Sequence, residues 1–418
     1  MDQNHQFSKV NSYIIPFLKW GLLGLFMGVW GGLLGAAFHH ALHFVTHLRG
    51  EFPWLIFGLP AAGLLSVGIY TLMGQRSNRG TNEVIDAVLS GGDVSAKVAP
   101  AIFLATALTH LFGGSAGREG AALQIGSSTA TLISRGLRLG RQDRRVLILC
   151  GMSAVFAGLF GTPLTATLFC MEFLSVGMVF SPALLPGYLA AYAASRVSGL
   201  LGVHPEGMLL EAAVITLGNA WRFLILAVLI SLVGVLMCWL FHKAEHLARH
   251  HIPNAWLRIF LGGVILLGLT LLAGDHRYNG AGMDMALGAV EGHAQWFDFL
   301  MKMLFTAVTL AAGFKGGEIV PTFCIGATFG CIAGGLLGLD AGMCGALGLI
   351  GLFCCATNSP FASIVLSVEM FGSANVHLFA LVCVVCFVLS GQGGLYSSQM
   401  QIFRRTSADA SAKPSPKQ

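Results

Sequence analysis

The sequence predicts an all-α, polytopic membrane protein, and three observations carry that prediction. Of its 418 residues 55% are hydrophobic and only 10% are charged, and the mean hydropathy of +0.74 lies well above that of soluble domains. Apolar runs recur along the whole length, each readable as a helix crossing a ~30 Å hydrocarbon core. The chain also holds 55 glycines, many of them paired inside those runs, where they let helices approach closely or break midway. The expectation is a compact bundle with interrupted helices.

The elements follow in order. The run from Ile14 to Val45 is too long for a cleaved signal peptide, and the residues before it, within an N-terminal segment 1–17, contain no clear basic n-region. Trp54 to Met73, Val98 to Phe112 and Val146 to Phe160 continue a first half spanning 18–201. A connection, 202–220, leads to a second half, 221–405, with runs from Phe223 to Phe241, from Ile259 to Ala273, and onward to Leu389. The tail 406–418, TSADASAKPSPKQ, is predicted to be disordered from its Ser, Ala, Pro and Lys content.

Basic residues cluster in three places: Arg135, Arg138, Arg141, Arg144 and Arg145; Lys243, Arg249 and Arg258; and Arg404 with Arg405. The positive-inside tendency turns these regions, and with them both termini, toward the cytoplasm. They call for a lipid bilayer as partner and for no nucleic acid. Ten cysteines lie nearly all inside apolar runs. The CxxC of Cys383 and Cys386 lacks a second pair or a nearby histidine, so it reads as packing. His242, His246 and His250 share a helix face, which suits either a metal site or a solvated helix end; the neighbouring Lys243 and Arg249 favour the second. No metal or other cofactor is expected.

The chain repeats itself. FGTPLTATLFCMEF around Pro163 and TNSPFASIVLSVEMF around Pro360 each place a glutamate, Glu172 and Glu369, nine positions after the proline. Gly151 stands to Pro163 as Gly348 stands to Pro360, and GREGAALQIG from Gly117 pairs with GEIVPTFCIG from Gly317. In transporters built from such repeats the substrate site lies where broken helices start, with free N–H groups and the positive end of the dipole aimed at an anion. Glu172 and Glu369, being duplicated, read as structural.

Within that pattern GGSAGREGAALQIG, from Gly113 to Gly126, puts an ionised pair in an apolar segment. An intramembrane glutamate is expensive and marks either a functional group or half of a structural ion pair, here Arg118 with Glu119. On the first reading the Glu119 carboxylate occupies an anion site that a passing anion must otherwise fill, which links anion occupancy to proton uptake.

These motifs resemble the CLC family of chloride channels and anion/proton exchangers. GSAGREGAALQIG is similar to the family's GREGP signature, SPFASIVLSVEMF and GTPLTATLFCMEF to its proline-plus-glutamate segments, and GGLYSSQ to its terminal segment, whose tyrosine lines the anion path and is here Tyr396. The resemblance runs from about Gly74 to Gln399. Departures from the commoner pattern are RGTNEVI, from Arg79 to Ile85, where the family has GSGIP with a chloride-coordinating serine; Ala121 in place of the GREGP proline; GEIVP in place of GxFxP; and Phe173 where the chloride/proton exchangers carry an inner carboxylate. In these respects the chain resembles the fluoride-transporting CLC-F branch.

The resemblance implies a CLC-type inverted-repeat bundle, a homodimer in a bacterial inner membrane, and a fluoride/proton antiporter exporting cytoplasmic fluoride. It implies Glu119 as the gating and proton-coupling glutamate, and an anion path along Thr81, Asn82, Gly117, Gly120, Glu318, Ile319 and Tyr396, with Thr81 in the place of the missing serine. Four of these residues keep a plainer reading beside that one. Glu318 suits a fluoride donor when protonated, or an ion pair with Lys315. Tyr396 suits a phenol aimed at the anion, or an interfacial anchor. Thr81 or Asn82 suits the cap of a short helix with Glu83 in its first turn. The rival within the family is a chloride/proton exchanger or passive anion channel. A membrane-embedded enzyme would need a nucleophile with its base, paired aspartates or a metal motif inside the spans, and none is apparent.

Overall fold

The computed structural model describes residues 3–401 apart from positions 77, 206, 214, 215, 217 and 392, and of residues 3–13 the backbone only. The first half runs α1 (Gln3–Glu51), α2 (Leu59–Leu72), α3 (Thr81–Ser90), α4 (Val98–Leu111), α5 (Glu119–Gly136), α6 (Arg141–Phe160), α7 (Pro163–Glu172) and α8 (Leu184–Leu200). The second runs α9 (Ala220–His251), α10 (Ala255–Ala273), α11 (Met283–Val290), α12 (Asp298–Ala312), α13 (Ile319–Leu336), α14 (Ala341–Thr357), α15 (Pro360–Phe371) and α16 (Val376–Leu389).

The two sets of eight correspond one to one. α1 packs on α6 and α8 as α9 packs on α14 and α16; α2 lies on α4 as α10 lies on α12; α5 crosses α6 as α13 crosses α14. The breaks correspond as well. α6 ends at Gly161 (φ +70°) and α14 at Asn358 (φ +57°), glycine and asparagine being the residues that enter the left-handed region at least cost. A proline then opens the next helix in each half, Pro163 and Pro360. The α5–α6 and α13–α14 crossings need glycine: a Cβ on Gly151 would lie 2.8 Å from that of Ala130, and one on Gly348 2.9 Å from the Cα of Gly330.

The predicted spans all lie on helices, with three differences. Residues 3–17, expected as a segment separate from the first span, continue the helix of α1. The Trp54 to Met73 run is split into a 3₁₀ turn at Pro53–Gly58 and α2. At 14 residues, α4 rises only ~21 Å, short of a full crossing. Among the described residues five helices or helix pairs are long and apolar enough to span by themselves, Ile14–Glu51 and Ala220–His251 among them. The rest of the membrane depth is built from shorter helices that stop inside the bundle, which keeps their end groups covered by protein rather than lipid. The tail 406–418 and Arg404 with Arg405 lie outside the described residues.

All ten cysteines are buried and unpaired; Cys383 and Cys386 face α14 and α9, with Cys354 Sγ donating to the Cys383 carbonyl and Cys386 Sγ to that of Ala227. The CxxC is packing. Among the described residues no group of three or more histidine, cysteine or acidic side chains is placed to hold a metal, and His242, His246 and His250 are exposed on the last turns of α9.

Candidate functional site

Two short connections, from Gly113 to Arg118 and from Gly313 to Glu318, bring the starts of α5 and α13 head to head. Gly117 and Gly317 join them as a two-residue antiparallel bridge, each N–H donating to the other's carbonyl, at 2.6 and 2.8 Å. The N–H of Gly117 is therefore spent on the opposite half. This corrects the expectation that Gly117 offers it to an anion; its part is to hold the two helix starts together.

Glu119 is the first residue of α5 and is fully buried. Its Oε2 accepts from the N–H of Arg118 at 3.1 Å and from the N–H of Val320, in the first turn of α13, at 3.3 Å. One carboxylate oxygen thus closes the N-termini of two helices from two halves, where unpaired N–H groups and both dipoles converge. Its Oε1 has no hydrogen-bond partner among the described residues. Glycine makes the approach possible: a Cβ on Gly317 would lie 2.8 Å from Oε2 and one on Gly117 would collide with it. The Arg118 guanidinium stands over the Phe160 ring at 5.0 Å and its Nη1 lies 3.3 Å from Nδ1 of His39.

Around this carboxylate the other expected residues take definite places. Thr81, the first residue of α3, is buried with its Oγ1 facing Gly120, 3.1 Å from where a Cβ there would stand. Neither Thr81 nor Asn82 caps α3, which corrects that expectation: Gly80 is the N-cap (φ +64°), while Glu83 occupies the first turn and accepts from Asn78 Nδ2 at 2.8 Å. The Asn82 side-chain carbonyl is engaged elsewhere, accepting from Ser398 N–H at 3.0 Å. That bond ties α3 to the segment bearing Tyr396, which Gln399 also clamps by donating to the carbonyls of Phe173 and Thr357, both at 2.7 Å.

Tyr396 is buried, its ring set edge-on to Phe173 at 5.7 Å, and its hydroxyl has no partner among the described residues. A phenol so enclosed is no interfacial anchor. Glu318 is the half-buried N-cap of α13 and Ile319 its fully buried first residue. Among the described residues Glu318 forms no ion pair with Lys315, whose ammonium lies instead 4.4 Å from the centre of the Tyr70 ring. A cavity of about 660 Å³, lined by His39, Arg49, His110, Arg118 and Asp284, reaches Val320.

Two groups near the site escaped the sequence reading. One is the backbone N–H of Val320, which leaves no mark in composition. The other is Lys302, fully buried in α12 with its ammonium on Ser115 of the Gly113–Arg118 connection. An ionisable residue inside the apolar run DFLMKMLF is the signal that could have found it.

Two inverted sets of broken helices, meeting at helix starts that hold a carboxylate, define a polytopic membrane protein of the class that moves ions between its repeats. Residues 62–391 match the sequence pattern of the family described as "Voltage gated chloride channel". The chain belongs to that family, the CLC family. It is 35% identical over 396 residues to the "Chloride/fluoride channel protein" of Pseudomonas syringae pv. tomato, covering 92% of this chain and 87% of that one. Over 87% of its length it is 25% identical to the "H(+)/Cl(-) exchange transporter ClcA" of Yersinia pestis bv. Antiqua, covering 82% of that protein. Among solved structures, a CLC-type fluoride/proton antiporter superposes with a TM-score of 0.89 at 34% identity, over 92% of this chain and 98% of that one. The fold class and the resemblance to the fluoride-transporting branch are thereby borne out.

Proposed function

We propose that this chain is a fluoride/proton antiporter of the bacterial inner membrane that exports cytoplasmic fluoride, with Glu119 as the coupling group. The observation that carries the reading is the single carboxylate oxygen shared by the N–H groups of Arg118 and Val320, with its twin oxygen unpartnered among the described residues. A small anion arriving at those donors competes with the carboxylate for them. Displaced into apolar surroundings, the carboxyl leaves as the neutral acid, having taken up a proton. When the anion departs, the acid returns its proton and closes the two helix starts again. One cycle therefore carries a proton one way and an anion the other.

Fluoride is the anion this reading selects. It is small and strongly hydrated, so a site for it must replace water with close, strong donors. Tyr396 offers an O–H with no other partner, Thr81 another at Gly120, and Glu318 a third when protonated. The names of the relatives in Pseudomonas syringae and of the fluoride/proton antiporter support the same choice. The α5–α6 connection supports the orientation: it holds Arg138 between Arg135 and Arg141, whereas its repeat mate, 337–340, holds no lysine or arginine. In this reading the protein acts as a homodimer with one path per subunit.

The test is transport by purified protein in liposomes, followed with fluoride and chloride electrodes under an imposed proton gradient. Fluoride leaving faster than chloride, and uphill when driven by protons, is the expected result. Chloride moving as fast would make this a chloride exchanger or channel of the same family, and fluoride flux indifferent to the proton gradient would remove the coupling role of Glu119.

A further inference from the structure

Beneath the Gly113–Arg118 connection lies a charge that the exchange cycle above does not use. Lys302 is fully buried in α12, and its ammonium donates to three neutral oxygens: Ser115 Oγ at 3.0 Å, the Tyr278 carbonyl at 3.1 Å and the Gly280 carbonyl at 2.7 Å. All three N–H groups are used, so the hydrogen bonding is complete. The charge is not balanced in the same way. Among the described residues Lys302 is ion-paired with no carboxylate. Asp298, one turn earlier and also fully buried, is committed to Arg277 at 2.9 Å, the Tyr278 hydroxyl at 2.8 Å and the Gln295 N–H at 2.8 Å.

A buried cation held only by neutral dipoles is costly unless something nearby carries the opposite sign. A second cation stands close by. On the far side of the same turn the Arg49 guanidinium lies against Gly280, 2.8 Å from where a Cβ would stand, and donates to the His110 carbonyl at 2.6 Å. Two cations thus flank the turn from Tyr278 to Gly282. That turn in turn holds the connection leading to Glu119, Asn279 Nδ2 donating to the Gly113 carbonyl at 2.8 Å and Gly280 N–H to that of Gly114 at 3.1 Å. The Ser115 hydroxyl also meets Thr306 at 3.0 Å, and its N–H meets Thr309 at 3.1 Å.

We propose that Lys302 is a positioning residue for the anion site: through Ser115 it fixes the connection that aims Glu119 at α13, and its charge adds to the hold on a transported halide at the two helix starts once the Glu119 carboxyl has left them as the neutral acid. The inference rests on the anion-transport reading above and adds a residue to it. A fully buried charge acts on its neighbours with little screening, so it bears on how strongly an anion is held more than on how fast the helices rearrange.

The experiment compares K302M, K302Q, K302R and S115A with wild type in liposomes, measuring initial fluoride flux against fluoride concentration. Neutral K302M and K302Q are expected to raise the half-saturating fluoride concentration on the order of 10-fold. K302R, which keeps the charge, is expected to stay within ~3-fold of wild type, and S115A, which keeps the charge but loses the bond, to lower the maximal rate while leaving half-saturation within ~2-fold. K302Q retains amide donors for the carbonyls, so it keeps the test open if K302M does not fold. Folded neutral variants with wild-type half-saturation would overturn the proposal, as would K302R behaving like K302M, or both neutral variants failing to fold. Wild-type protein that moves no halide would instead fail the transport reading itself.

Discussion

In two places among the described residues a carboxylate closes helix starts across the two halves, and the two closures are made in opposite ways. Between α7 and α15 the closure is reciprocal. Glu369, near the end of α15, takes the N–H groups of Leu164 and Thr165 on its two oxygens at 2.9 and 2.8 Å, and Glu172, at the end of α7, takes those of Phe361 and Ala362 at 3.1 and 2.8 Å. Every carboxylate oxygen has a partner, and each glutamate is fixed to the helix opposite. Between α5 and α13 a single glutamate serves both helices with one oxygen and leaves the other unpartnered. The first arrangement is a clasp and the second a stopper. The same elements, helix N-termini and a carboxylate, make a permanent joint when the bonds are bidentate and duplicated, and an exchangeable one when they are few and unmatched.

The strongest test of that contrast is to neutralise each carboxylate in turn. E119Q is expected to lower fluoride-driven proton movement by ~10²-fold or more, and to leave any remaining fluoride flux insensitive to pH, as read with a pH electrode in liposomes. E172Q and E369Q should behave the other way. Each loses charge-assisted bonds to two N–H groups and destabilises the protein by about 2–4 kcal/mol, seen as a lower midpoint of thermal unfolding in detergent, while the protein that remains folded keeps the wild-type ratio of protons to fluoride. Loss of coupling in E172Q would erase the distinction between clasp and stopper.

Smaller changes sharpen it. G317A places a methyl group 2.8 Å from the Glu119 oxygen and from the Gly120 nitrogen, and is expected to slow coupled transport ~10-fold with the fold intact. Y396F removes a buried hydroxyl that has no partner among the described residues. It should cost transport ~3-fold and stability within about 0.5 kcal/mol, since no hydrogen bond in the protein is lost.

Much of the fold was legible because the chain marks its own repeat. Proline opens a helix, glutamate follows nine residues later, and glycine or asparagine ends the helix before, so the two halves could be aligned by local chemistry alone. The reading of Glu172 and Glu369 as structural also held, although nothing in either segment says that each glutamate binds the other's helix. Glu119 stood out because an acid in an apolar run is costly. Gly117 was misread for the converse reason: a glycine at a helix start advertises a free N–H, and only the opposite half, through Gly317, reveals that it is taken. Lys315 and Glu318 sit three apart in sequence and look paired, yet the break before α13 turns them to different neighbours.

The sequence by itself therefore determined the class, the duplication and the identity of the acid at the centre, because hydropathy, proline, glycine and charge act over a few residues. The tertiary structure alone decided which N–H groups remain for an anion, that Val320 is one of them, and that Lys302 lies beneath the site. Those are contacts between residues about 190 to 200 positions apart, made by backbone groups common to every residue and by a buried cation whose partners are neutral.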